Sequence, residues 1–110
     1  MNDLIFSGNN RSYDEFKKQL TPPVKLLFDS LRDYCLSLGK NVIEDVRMHR
    51  VVFCKSITFR FFADMEPQQD SILIKIWGDR KEHQKEMHVK PNQDLNEIMN
   101  LLLDAYNTIH

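Results

Sequence analysis

Hydrophobic residues recur at helical intervals in two long segments of the chain. In residues 22–38 and again in residues 95–109, apolar side chains lie three or four positions apart. The first stripe consists of Val24, Leu27, Phe28, Leu31, Tyr34, Cys35 and Leu38. The second consists of Leu95, Ile98, Met99, Leu102, Leu103, Tyr106 and Ile109. This period is typical of amphipathic helices that bury one face, so we predict helices over 22–38 and 94–109.

Polar residues and glycine mark where these helices begin and end. Thr21 precedes a proline and is a suitable N-cap, and Gly39 follows the last apolar position of the first stripe, as glycine commonly does after a helix. Ser12 lies three residues before Glu15, which is the spacing of a capping box. We therefore also predict a short helix over about 13–20.

The densest run of β-branched and aromatic residues covers 51–65 and contains neither glycine nor proline. Such a run fits a pleated, half-buried surface, and we interpret it as two strands that join near Lys55 and Ser56. A three-residue loop would place one set of side chains on one face: Val51, Phe53, Ile57, Phe59, Phe61 and Ala63. The other face would then carry Val52, Thr58, Arg60 and Phe62. A two-residue loop would instead turn Val52 and Cys54 inward, and the sequence leaves both alternatives open.

Further strands are predicted on either side of this hairpin. Residues 42–49 form a first strand, and residues 71–77 alternate, with Ile72, Ile74 and Ile76 inward and Leu73, Lys75 and Trp77 on the opposite face. Residues 78–86 form a charged loop before a short strand over 87–89. Short turns join antiparallel strands, and two one-sided helices can cover one face of the sheet. The fold class is therefore α+β, a two-layer sandwich with an antiparallel sheet of about four to five strands packed by an N-terminal and a C-terminal helix.

The composition is that of one globular domain. The chain has 110 residues, 42% hydrophobic content and a formal net charge of −1, so we treat 1–110 as a single domain in which 1–11 is a tail or an edge segment. There is no signal-peptide pattern and no apolar run near the ~20 residues that a membrane span needs. We expect a cytoplasmic protein that does not bind membranes. Cys35 and Cys54 lie in apolar patterns and are interpreted as buried thiols.

The order of these segments resembles a small prokaryotic domain of unknown function. The shared features are a helix that ends in Leu-Gly, the run FCKSITFRFFADMEP, an ILIKI strand, a His-Val strand and a last helix with LLLDAY. The resemblance covers about residues 22–108. The family occurs alone or at the C-terminus of longer proteins, some labelled predicted transport proteins or linked to restriction-type nucleases. It often has a longer glycine-rich insert where this chain has only residues 78–86. The resemblance implies a compact α+β domain and no catalytic residues.

The histidines form no recognisable site. His83 and His88 lie five residues apart, a spacing that matches neither one face of a helix nor one face of a strand, whereas metal ligands must converge from a fixed scaffold. A solvated loop is therefore favoured over metal ligation. His49, between Arg47 and Arg50, has no identifiable acidic partner that would make it a general base. We predict no metal and no cofactor.

An acidic group near the end of the hairpin invites comparison with nucleases. Asp64, Glu66 and Asp70, followed by Lys75, resemble the carboxylates and lysine that sheet-based nucleases place around a metal ion. That chemistry requires a carboxylate two residues before the lysine, where this chain has Leu73. The pattern therefore favours a non-enzymatic protein.

The remaining candidate is the sheet face that the two helices leave uncovered. We predict a binding surface there that mixes cations, histidines and aromatic rings, formed by Arg60, Phe62, Lys75, Trp77, Arg47, His49 and His88. Apolar side chains on such a face indicate that something covers it: the N-terminal segment, a protein partner or a second copy of the chain. We therefore predict a non-catalytic binding or interaction domain. The alternative is a nucleic-acid-associated module, because cations and aromatic rings on a sheet can hold phosphates and stack bases.

Overall fold

Five strands form one antiparallel sheet in chain order, with helices before and after it. The computed structural model describes residues 12–55, 60–78 and 85–109. The helices are α1 (Tyr13–Lys17), α2 (Pro22–Ser37) and α3 (Asn96–Thr108), and the strands are β1 (Val42–Val46), β2 (Val51–Lys55), β3 (Arg60–Pro67), β4 (Ile72–Ile76) and β5 (Lys85–Val89). The sheet order is β1-β2-β3-β4-β5, so β3 is central. The predicted α+β fold class and antiparallel sheet are confirmed.

The core lies between one face of the sheet and the helices. The largest fully buried side chains come from both layers: Phe28, Phe53, Phe62, Leu31, Met65, Ile72, Ile74, Ile98, Leu102, Ile109, Val24 and Val51. The α2 helix contacts β1, and α3 contacts β3 and β4. The chain measures 34 × 34 × 22 Å, and a short third dimension is expected for two layers. The two apolar stripes of the sequence are therefore the inner faces of α2 and α3, except for Leu103 of the second stripe, which is 40% exposed.

The helix ends follow the predicted capping in part. Ser12 caps α1 through a hydrogen bond to its side chain from the Glu15 N–H, as predicted. The expected side-chain cap at Thr21 is absent, and its hydroxyl donates to Gln69 O instead. Two prolines open α2 and provide no N–H groups, which removes most of the donors that Thr21 would accept from. Asp94 accepts from Asn96 N, and α3 begins there, two residues later than predicted.

An irregularity in β3 sets which side chains of this strand are buried. Phe53 pairs with Ala63, but the next residue, Cys54, pairs with Phe61, so Phe62 is an extra residue in β3. Such a β-bulge leaves two residues of one strand opposite one of its partner. Phe62 and Ala63 are both fully buried, whereas Phe61 is 42% exposed. The predicted faces of Phe61 and Phe62 are therefore wrong, and the bulge is the physical reason.

The β2 strand itself has the orientation of the three-residue-loop alternative. Val51 and Phe53 belong to the core, while Val52 and Cys54 alternate onto the other face. Both are nevertheless buried there. The joining residues, among them Ile57, Thr58 and Phe59, lie outside the described residues.

Polar contacts attach α1 to α2 and α2 to the sheet. The Tyr13 hydroxyl donates to Asp29 Oδ1 over 2.8 Å, and Lys17 Nζ donates to the same carboxylate over 3.3 Å. The Arg32 guanidinium lies 4.0 Å from the centre of the Tyr13 ring and pairs with Glu44 of β1. Burial and the bond to Asp29 raise the pKa of Tyr13 well above its usual value, so the hydroxyl remains a donor at neutral pH.

The end of α3 is attached to β2, β3 and the segment after α2. Lys55 Nζ donates to Ile109 O over 2.7 Å and lies 4.3 Å from the centre of the Tyr106 ring. That ring meets Phe62 edge-on, with ring centres 5.5 Å apart. A Cβ at Gly39 would lie 2.1 Å from the Tyr106 hydroxyl oxygen. Gly39 has no positive φ, so it is required by this close approach and not by a left-handed turn.

Replacing Gly39 by alanine should therefore destabilise the fold. We expect Gly39→Ala to lower the free energy of unfolding by about 1–3 kcal/mol, because the new methyl group displaces a ring that is packed on its other sides. Tyr106→Phe removes the nearest atom and should recover part of the loss in the double variant. Urea denaturation of the two single variants and the double variant measures this coupling, and additive effects would contradict the contact.

Candidate functional site

The sheet face opposite the helices, here called the open face, is the candidate site. Side chains alternate along a strand and paired residues share a face, so the register of the sheet assigns the residues of this face. They are Ile43, Asp45, Val52, Cys54, Phe61, Asp64, Glu66, Leu73, Lys75, Trp77, Glu86 and His88. Its middle row runs Asp45, Val52, Asp64, Lys75, Glu86 from β1 to β5.

Three of the predicted residues lie on the open face. Lys75 is in the middle row, directly opposite Asp64 on β3. His88 pairs with Leu73 and is exposed. Trp77 follows the last residue of β4, and its N–H donates to Phe62 O over 3.1 Å. This bond continues the ladder, so alternation places Trp77 on the same face as Lys75 and beside Phe61.

Two of the predicted residues do not lie there. Phe62 is fully buried in the core between Phe53 and Tyr106. Arg60 is the register partner of Lys55, whose ammonium reaches the end of α3. Arg60 therefore belongs to the face that carries the helices. The bulge between these positions and the rest of β3 accounts for both differences.

The two predicted residues of the turn between β1 and β2, Arg47 and His49, lie in different places. The Arg47 guanidinium lies 5.5 Å from the centre of the Phe61 ring and 3.0 Å from Asp45 Oδ2, so this side chain reaches back over the open face. His49 is exposed and lines a separate cleft of about 470 Å³. Glu66 also lines that cleft, but its carboxylate is bonded to an arginine, as described next.

Arg50 is the site residue that sequence reasoning missed. One of its nitrogens lies 3.1 Å from Asp64 Oδ2, and the other lies 3.2 Å from Glu66 Oε1. Asp64 is only 8% exposed, and its Oδ1 is buried with no hydrogen-bond partner. A buried polar atom without a partner costs about 1–3 kcal/mol. The predicted hairpin ended at residue 65, so Glu66 was not placed on its strand, and the sequence does not show that Arg50 lies opposite these carboxylates.

The open face is not a basic surface. Its acidic residues are Asp45, Asp64, Glu66 and Glu86, and the cations on it or over it are Arg47, Arg50 and Lys75. Both arginines are bonded to carboxylates. Lys75 makes no ion pair within the part of the chain that the structure describes. One free ammonium among four carboxylates gives little attraction for a phosphate backbone.

The thiols are protonated at neutral pH. Burial raises the pKa of the Cys35 thiol to about 12, with a smaller contribution from Glu44. Burial also raises the pKa of Cys54, which Asp45 raises further and Arg47 lowers. A thiol acts as a nucleophile only as the thiolate, so neither cysteine is activated. The two are free and buried, as predicted.

The acidic residues compared with those of nucleases do not converge. Asp64 and Lys75 are cross-strand neighbours, but Asp70 lies in the exposed turn after β3 and the position two before Lys75 is Leu73. Within residues 12–55, 60–78 and 85–109 there is no group of three side chains that could hold a metal ion. His83 lies outside the described residues.

Removing the Arg50 guanidinium should leave Asp64 buried without its cation. We expect Arg50→Ala to lower the free energy of unfolding by about 2 kcal/mol, since the pair is partly exposed and the cost of a fully buried charge is higher. Arg47→Ala is the matched control, and because Asp45 is more exposed the loss should stay below about 1 kcal/mol. Adding Asp64→Asn to Arg50→Ala should recover part of the loss. Equal losses in the two arginine variants, measured by urea denaturation, would contradict this assignment.

Stability should fall at alkaline pH because of the buried thiol. Unfolded Cys35 ionises near its ordinary pKa of 9.0, whereas the folded thiol retains its proton up to about pH 12. Over that interval the folded state binds more protons, so the free energy of unfolding decreases as pH rises. Tyr13 acts in the same direction. Cys35→Ala should therefore show a shallower decline than the wild type between pH 9 and 11, and parallel curves would count against a raised thiol pKa.

Comparison with known proteins identifies no relative of this chain. No protein-family model matches the chain, and neither the curated proteins nor the solved structures contain a match. The resemblance to a small prokaryotic domain stays a prediction. Among the described residues, none of the helices has the length and apolar character to cross a membrane.

Proposed function

We propose that this protein is a non-catalytic interaction domain that associates with a second copy of itself through the open face. The observation that carries the proposal is Phe61, which is 42% exposed on a sheet face that no described helix covers. Ile43, Leu73 and Trp77 are half-buried on the same face. Large apolar side chains grouped on one surface favour an interaction site.

The charges of the open face favour a protein partner over nucleic acid. Its middle row carries three carboxylates, Asp45, Asp64 and Glu86, and one cation, Lys75. A phosphate backbone would contact these carboxylates as well as the cations, and the carboxylates would repel it. A second copy carries the same mixture of charges, and a twofold contact buries the same surface patch on both copies. A positive residue of one copy can then face a negative residue of the other. Charge of both signs therefore suits self-association.

The size of the open face requires a contact that uses nearly all of it. The sheet has five strands of five to eight residues, so at about 4.8 Å between strands and about 3.3 Å per residue the face spans roughly 24 Å by 17–26 Å. Stable interfaces bury about 800 Å² of accessible surface on each partner. The side chains of Arg47 and Arg50, which reach over the face, add to the area that a second copy can cover.

The first test is the mass in solution. We expect light scattering after gel filtration to give about twice the mass of one chain at micromolar concentration. Phe61→Glu should shift the mass towards one chain, because it places a charge in the apolar part of the face. Leu103→Glu is the matched control, since Leu103 on α3 is 40% exposed and lies away from the sheet, and it should leave the mass unchanged.

The proposal would be rejected if the wild type had the mass of one chain at all concentrations up to about 100 µM. A dissociation constant of about 100 µM corresponds to a binding free energy near −5.5 kcal/mol. The nucleic-acid alternative then has its own measurement. Fluorescence anisotropy with single-stranded RNA should show salt-sensitive binding that Lys75→Ala weakens. Absent or salt-independent binding would reject that alternative also.

A further inference from the structure

We infer that the two copies meet about a twofold axis that runs along the strands between β3 and β4, so that Lys75 of each copy binds the Asp64–Glu66 carboxylate pair of the other. This inference rests on the proposed self-association and specifies its geometry. Three features of the open face support it: an unbalanced carboxylate pair, an unpaired lysine beside it, and two aromatic residues placed to meet under the same symmetry.

The carboxylate pair is short of one positive charge. Asp64 and Glu66 share the single guanidinium of Arg50, which leaves one negative charge over. The Asp64 Oδ1 atom has no hydrogen-bond partner among the residues that the structure describes. The side chain is nine-tenths buried, so the surplus charge sits where water screens it poorly. Because Oδ1 is itself enclosed, a cation supplied from above the face would balance the charge through the more exposed Glu66 carboxylate of the pair.

Lys75 provides the complementary charge. It lies directly opposite Asp64 in the register of β3 and β4. It forms no hydrogen bond or ion pair with any residue in 12–55, 60–78 or 85–109. The open face therefore presents a surplus negative charge on β3 and a surplus positive charge on β4, one strand spacing apart.

Twofold symmetry turns this arrangement into two matching pairs. When two identical faces pack about an axis that lies in the interface, a residue on one side of the axis meets the residue equally far on the other side. An axis between β3 and β4 places Asp64 of one copy against Lys75 of the other, and the reverse. An axis along β3 itself would bring Asp64 against Asp64, which repels.

The same axis brings the aromatic residues together. Phe61 on β3 and Trp77 after β4 lie beside each other at one end of the face, because Ala63 pairs with Ile76 and the Trp77 N–H binds Phe62 O. The symmetry therefore places Phe61 of one copy against Trp77 of the other. Aromatic pairs of this kind add to the energy of burial. The apolar and charged parts of the face thus agree on one axis.

Zero-length cross-linking of isotope-labelled chains tests the contact. Equal amounts of ¹⁵N-labelled and unlabelled protein are mixed, treated with a carbodiimide that joins amines to carboxylates in contact, and analysed by mass spectrometry. We expect cross-linked peptides that join Lys75 to Asp64 or Glu66 and carry one label of each kind. Lys75→Arg keeps the positive charge but has no reactive amine, so it should retain the dimer and lose the cross-link.

Association constants give a second readout. By sedimentation, Lys75→Glu should weaken dimerisation at least tenfold, whereas Lys40→Glu, an exposed lysine in the segment after α2, should change it less than twofold. Cross-links carrying only matching labels would show that Lys75 turns onto its own Asp64 and would overturn the inference. A dimer that is unaffected by Lys75→Glu, or that lacks the mixed-label cross-link, would also overturn it while leaving self-association in place. A wild-type monomer would instead reject the proposed function.

Discussion

The bulge at Phe62 is the constraint on which the arrangement of the open face depends. Without it, the ladder that pairs Phe53 with Ala63 would continue by pairing Cys54 with Phe62. Phe61 would then point towards the helices and Phe62 away from them. The extra residue reverses this for the half of β3 beyond Ala63. It lets Phe62 fill the space between Phe53 and Tyr106, and it places Phe61 where the Arg47 guanidinium can lie over its ring. One inserted residue thus supplies a ring to the core and another to the surface.

The parts of the fold that could be predicted are those with an uninterrupted period. The stripes of α2 and α3 repeat over several turns, and β4 alternates Ile72, Ile74 and Ile76 towards the core without exception. Their buried faces follow directly from the hydrophobic effect. A bulge breaks the period that the prediction relies on, and in β3 both Phe61 and Phe62 are aromatic, so composition could not distinguish the two registers. The observed register brings Phe62 against Phe53 and Tyr106, and the contact with Tyr106 is distant in sequence and could not be read from the strand.

The candidate site was predictable to the same extent. Lys75, Trp77 and His88 lie on strands whose alternation is regular, and the sequence places them on the correct face. Phe62 is the extra residue of the bulge and Arg60 lies beyond it, and both were assigned to the wrong face. Arg50 was missed for a different reason: its role depends on which residues of β3 lie opposite the start of β2, and that register is a tertiary property.

The arginines at the turn between β1 and β2 neutralise part of the negative charge of the open face. Arg47 and Arg50 reach back over it from opposite sides of that turn and occupy the carboxylates beneath them. Val52 and Cys54 are buried on this face, so its exposed apolar surface is concentrated near Phe61, while the middle row stays charged. A uniformly apolar sheet face would associate in many registers and with many partners. A charged row beside an apolar end restricts the choice of axis. An axis along β3 would bring Asp64 against Asp64. An axis between β4 and β5 would pair Lys75 with Glu86, but because β5 is an edge strand it would place Asp64 and Phe61 of β3 beyond the edge of the partner's sheet. Of these three axes, the one between β3 and β4 is therefore the one that uses both the carboxylate pair and the aromatic residues.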